Sequence, residues 1–249
     1  MSLDQILAAA PVASIDQAIA IMQAIDRTLP DDDGVKWFNR LYLRVTVSVG
    51  GAVRGTKFSD PAFLAKLDVV FANLYFSALT SGLADLDGAP SAWRPLLLAR
   101  HTPGIARLQF ALAGINAHIN RDLPDGIVQS FVALGGDPIS DRIRRQDFDR
   151  VNDLLEQVEQ QVKGEFSVGA IEVVDRLGGP VDDALAFWKI RKARSAAWTN
   201  AQVLWALRGS PVLRDEFFNR LDGLVGTSGR GLLLPIKLAA VQPDGAPLQ

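Results

Sequence analysis

The stretch from Leu108 to Ile119 holds only three polar residues, Gln109, Asn116 and His118. A helix that is apolar almost all round cannot face water and must be wrapped by other elements. That one constraint sets the fold class. Residues 103–123 are read as a central buried helix, opened by Thr102 and Pro103 and stopped by Pro124. Projected at 100° per residue, Ile105, Leu108, Leu112, Ile115, Ile119 and Leu123 form its main apolar seam. Gln109, Ala113, Asn116 and Asn120 flank one side; Arg107, Ala111, His118 and Asp122 flank the other, with Gly114 nearby.

Segments with helical periodicity surround it. "SIDQAIAIMQAIDRTLP" places Ser14 and Gln17 in capping-box spacing. "SDPAFLAKLDVVFANLYFSALTSG" carries Ser59 or Asp60 as a cap and Pro61 at the first helical position. Residues 147–163 put Phe148, Val151, Leu155, Val158 and Val162 on one stripe, and a long helix is expected from Pro180 to Arg208. Shorter helices fit residues 3–9, 91–101, 125–134, 168–177 and 212–225. "RVTVSVGGAV" alternates like a strand, but a lone strand has no sheet to join, so it is read as distorted helix. The expectation is a single all-α domain over residues 1–249, a bundle of about eight to ten helices, with a disordered tail from about 241.

Composition removes several function classes. The 249 residues include no cysteine, which excludes disulfides, thiolate metal sites and cysteine nucleophiles. A net charge of −2 argues against a broad nucleic-acid face. No basic leader precedes the first apolar residues, and the apolar runs are broken short of a membrane span. A cytoplasmic protein is expected; a homodimer is compatible with the sequence.

The chain has two histidines, and one stands in this central segment with Asp122 four residues on. A carboxylate beside an imidazole fixes its tautomer and raises its basicity, as a general base requires. Small neighbours at Ala111, Gly114 and Ala117 suggest space for a ligand above that face. The opposing reading is equally physical: small residues let helices pack closely, and a His–Asp pair ties a helix end to its neighbour. Asp122 in a last turn meets an unfavourable dipole, so Arg107 or Arg100 is expected to compensate it. Asn116 and Asn120 offer amides, and Asn73 and Asp68 interrupt the apolar run "LDVVFANLYF". Asp68 reads foremost as the buried partner of an arginine, and otherwise as a second carboxylate in a site. Arg194, Trp198 and Trp205 share a stripe, either as core or as the wall of a pocket for a flat ligand.

Metal and phosphate motifs are weak. "DDD" at 31–33 resembles the aspartate-rich motif of terpene cyclases, but it precedes a helix and fits a cap. The His118–Asp122 spacing is similar to that of zinc-dependent phospholipases, which need further histidines this chain lacks. No cofactor is expected, although a single divalent ion held by His118 and Asp122 is compatible with the pair. "GTSGRG" at 226–231 has no strand before it.

The segments "FLAKLDVVFANLYFSAL", "AWRPLLLAR" and "LQFALAGINAHINRDLP" together resemble an uncharacterised, mainly actinobacterial family of unknown function, over most of residues 35–205. The resemblance implies one α-helical domain and marks the His118 segment as a hallmark, without supplying a reaction. Two functions are expected from the residues. One is an enzyme acting on a small, largely hydrophobic molecule (a cyclase, isomerase, lyase or hydrolase). In it His118 and Asp122 do the acid–base work, and Arg107, Asn116, Asn120, Asp68, Asn73, Arg194 and Trp198 bind substrate. The other is a non-catalytic ligand-binding or assembly protein whose polar stripes are structural.

Overall fold

Helix capping and apolar periodicity organise the chain as expected. The computed structural model describes residues 1–177 and 190–235, with the side chains of 159, 160 and 162–177 excepted. Helices α1 (Leu3–Leu7), α2 (Ile15–Thr28), α3 (Gly34–Val53), α4 (Pro61–Ala84) and α5 (Arg94–Ala99) precede the central segment. α6 (Arg107–Ala117), a π-helical turn (His118–Asp122) and α7 (Leu123–Leu134) follow. α8 (Arg142–Leu177), α9 (Ile190–Ala206) and α10 (Pro211–Leu232) are the later helices among the described residues. The described residues are helical with no strand, so the chain is all-α.

The caps are where side-chain chemistry puts them. Ser14 accepts from the Gln17 amide, and Asp60 accepts from Phe63 with Pro61 at the first position. Asp33 of the aspartate run caps α3 through the Val35 amide and pairs with Arg100. "RVTVSVGGAV" is regular α3 helix, with Val45, Val49 and Val53 packed into an apolar cluster and Val47 exposed. The segment 168–177 is the end of α8. The part of the expected long helix before residue 190, including Trp188, and the tail lie outside the described residues. "GTSGRG" forms the last turns of α10. α4 is long and apolar enough to cross a membrane, by length and composition alone, where the broken apolar runs suggested no such segment; half of that stretch is buried.

The central segment departs from its expected limits at both ends. Gly104 takes a positive φ of 81°, so the chain turns there and α6 starts only at Arg107. The Gln109 side chain accepts from the Ala106 amide at this start, at 3.0 Å. At the other end Pro124 does not stop the helix. Proline lacks an N–H and its ring crowds the carbonyl four residues back, here Asn120. The chain widens instead: the Leu123 amide donates to His118, and α7 continues beyond. Such π turns recur at functional sites.

α6 packs chiefly between α3 and α10. Its deepest face is not the large aliphatic seam. Phe110, Ala111, Ala113, Gly114 and Ala117 are buried, whereas Leu112, Ile115 and Ile119 are half-buried. The small residues serve packing: a Cβ on Gly114 would lie 2.3 Å from the Phe38 ring. The space expected above Gly114 is therefore occupied. Two apolar clusters result. One draws mainly on α1 to α6, with Val158 of α8 and Val225 of α10. The other joins Val49 of α3 and the start of α4 to α7, the α8 start and α9, and Val45, Phe71 and Ile190 pack against both.

Gly114→Ala should destabilise the protein by about 1–3 kcal/mol through overpacking, despite the helix-propensity gain of about 1 kcal/mol. Urea unfolding checks this, and a more stable variant would contradict the α3–α6 contact.

Candidate functional site

The π turn carries His118 and Asp122 into the interior, where they are 2% and 0% exposed. His118 Nδ1 lies 2.9 Å from Asp122 Oδ2, which also accepts the Trp93 indole N–H at 2.9 Å. The other oxygen accepts from Arg121 at 2.7 Å. Because the carboxylate accepts from Nδ1, the proton of the neutral ring sits on Nδ1 and Nε2 carries a lone pair. Burial lowers the His118 pKa below its ordinary value, against the raising effect of Asp122. Burial thus favours the neutral form of the imidazole.

Arg121 and Trp93 supply what was expected of Arg107 or Arg100. Arg100 is engaged by Asp33, and Arg107 lies over the Trp37 ring, 4.2 Å from its centroid. Arg121 also faces Asp222 of α10 at 3.4 Å and lies over Phe218. Asp222 in turn accepts from the amides of Ser91 and Ala92, fixing the turn that presents Trp93.

The ring itself is held by aromatics. Phe71 of α4 stacks on it with centroids 3.4 Å apart and planes 6° apart, and Tyr42 of α3 meets it edge-on at 4.5 Å. Nε2 is buried with no hydrogen-bond partner among the described residues. His118 lines a cavity of about 70 Å³ with Tyr42, Phe71, Ile115, Val158 and Arg194. Val45, Phe71 and Ile190, which pack against both apolar clusters, all line it, so it lies on the seam between them.

Beside it lies a second buried polar set. The Tyr42 hydroxyl, the Thr46 hydroxyl and Asp68 Oδ2 are buried and lack a well-aligned hydrogen-bond partner among the described residues. Thr46 is nonetheless close enough to Tyr42 to favour its phenolate, though burial and Asp68 together raise the phenol well above its usual range. Burial pushes Asp68 up to about 7, against a lowering influence from Arg194. Arg194, brought down to about 9 by burial, donates to Asn152 and to the Phe148 carbonyl and lies over the Phe148 ring. The arginine partner expected for Asp68 is thus present as a field. No ion pair of Asp68 stands among those of the described residues.

The remaining candidates lie elsewhere. Asn73 bonds the Val12 backbone through both its donor and its acceptor. Asn120 donates to Asn116, which donates to the Val225 carbonyl of α10. Trp198 is core, its N–H on the Pro138 carbonyl, and Arg145 rather than Arg194 lies over its ring. No group of three His, Asp or Glu side chains suited to a metal ion occurs among the described residues. His118 has only Nε2 to offer an ion, since Nδ1 is engaged by Asp122. Tyr42, Phe71, Trp93 and Arg121 join the site without having been singled out. Their one common signal is that each is an aromatic or an arginine in a run otherwise built for burial.

The raised pKa of Asp68 has a stability consequence of definite sign. Between about pH 4 and pH 7 the folded carboxyl keeps a proton that the unfolded chain has lost, so stability falls as pH rises through that window. Asn cannot ionise. Asp68→Asn should therefore gain on the wild type by roughly 2–4 kcal/mol between pH 4 and pH 8. Chemical denaturation at the two pH values measures it, and a difference that stays flat would contradict the burial-raised pKa of the Asp68 carboxyl.

No curated protein and no solved structure matches the chain. A family model matches residues 15–235, which span every element from α2 to α10, with the π turn near the middle. The chain belongs to that family of unknown function, DUF5995.

Proposed function

We propose that the protein is an enzyme acting on a small, largely hydrophobic molecule, with His118 as general base through Nε2 and Asp122 as the group that orients it. The observation that carries this reading is a buried Nε2 with no hydrogen-bond partner among the described residues, in a ring that lines an apolar cavity. A structural histidine satisfies both ring nitrogens, since leaving one bare costs on the order of 1–3 kcal/mol. Sites that bind and react tolerate such costs.

The chemistry is proton transfer. Nε2 takes a proton from the substrate, and the resulting imidazolium shares its charge with Asp122. Returning that proton to another atom of the same molecule completes an isomerisation with no co-reactant. A lyase or cyclisation step uses the same abstraction, and hydrolysis adds water. Ligand binding without catalysis is the second reading. It is favoured by the structural use made of Arg107, Asn73, Asn116, Asn120 and Trp198.

Nitroethane, a compact neutral carbon acid, is a suitable probe. The wild type should accelerate its deprotonation about 100-fold over His118→Gln, the scale of general-base catalysis. The rate should be flat above pH 6.5 and fall at lower pH as the ring protonates, since its pKa is lowered from 6.5. Equal rates for the two proteins would exclude His118 as base.

A further inference from the structure

A second feature of the cavity says what kind of molecule it takes. Its walls are hydrocarbon and aromatic along Phe71, Ile115 and Val158, but one side is not. Tyr42 lines the cavity, and its hydroxyl lacks a well-aligned partner among the described residues, as do the Thr46 hydroxyl and Asp68 Oδ2. Thr46 is one turn along α3 from Tyr42, and Asp68 is one turn before Phe71 on α4, the ring stacked on His118. Both Tyr42 and Arg194, which line the cavity, feel the charge of Asp68. Buried polar atoms without a well-aligned partner are rare, and the Tyr42 hydroxyl, on a cavity-lining residue with Thr46 and Asp68 near it, asks for a further hydrogen-bonding group.

We propose that this pole receives the hydroxyl or carbonyl group of an uncharged molecule, which meets the Tyr42 hydroxyl with Thr46 and Asp68 behind it, while the hydrocarbon lies against Phe71, Ile115 and Val158. The inference rests on the reading of the cavity as a substrate site. A volume of about 70 Å³, at about 10–15 Å³ per water-sized position, holds about five such positions. That fits a compact alcohol or ketone, or the end of a longer one.

Charge complementarity favours the neutral class. Asp122 and Asp68 both raise the Tyr42 phenol, so an anion beside that hydroxyl meets two carboxyl groups. Arg194 lines the same cavity, and its buried charge opposes a cation there, while its guanidinium is engaged by Asn152 and the Phe148 carbonyl. Tyr42 and His118 are within one ring contact, their centroids 4.5 Å apart. A carbonyl held at Tyr42 thereby brings its adjacent C–H toward Nε2.

The test is a chemical-shift titration of the full chain with cyclopentanol, cyclopentanone, cyclopentane, cyclopentylamine and cyclobutanecarboxylate. The alcohol and ketone should bind about fivefold or more tightly than cyclopentane, the worth of one hydrogen bond, and more tightly than the amine or the acid. Tyr42→Phe should remove that advantage and leave cyclopentane binding unchanged. Asp68→Asn, which keeps a donor and an acceptor, should preserve it. Cyclopentane binding as tightly as cyclopentanol, a preference for either charged probe, or no binding at all would overturn the inference. Binding is read without turnover. A cavity that takes cyclopentanol yet leaves nitroethane unreacted therefore supports this inference and removes only the base role of His118.

Discussion

Asp122 is the residue on which the interior turns. A carboxylate buried to 0% exposure is sustainable only with several donors. Trp93, His118 and Arg121 provide them from three directions. Each donor carries a further constraint. Trp93 depends on the turn that Asp222 holds, Arg121 spans from Asp122 to that same Asp222, and His118 is fixed in orientation and tautomer. One carboxylate thus locks α5, the π turn and α10 together, and in doing so fixes the orientation of an imidazole ring that lines the cavity.

The cavity exists because two apolar clusters meet without merging. α3 and α6 close tightly where Phe38 takes the place of a side chain on Gly114. Further along, at Ile115 and Ile119, the helix carries larger residues that are only half-buried, and the seam opens. Widening the helix before Pro124 puts His118 to Asp122 in a π turn and lets the chain continue into α7. The packing demands of a proline and a glycine therefore shape the site as much as the charged groups do.

The His–Asp couple was legible in the sequence because a polar pair four apart on an otherwise apolar helix has few places to go. The caps at Ser14, Asp33 and Asp60 were legible for the same local reason. What periodicity does not carry is which distant helix arrives. Tyr42, Phe71 and Trp93 reach His118 from three other helical regions, and nothing local to them marks that meeting. Asn73, Asn116 and Asn120 interrupt apolar runs just as His118 does, yet they satisfy backbone and one another. A buried polar residue advertises the need for a partner, and only the packed chain says whether that partner is protein. The π turn was hidden as well, since proline reads as a stop until tertiary contacts hold the helix together beyond it.

The most direct measurement is the nitrogen-15 spectrum of the histidine rings, simplified by there being two histidines, with His101 exposed. At pH 7 His118 should be neutral, with its proton on Nδ1 and the resonance of an unprotonated, unbonded nitrogen at Nε2. A proton on Nε2, or an imidazolium at that pH, would contradict the central claim that Asp122 holds a free base at the cavity wall.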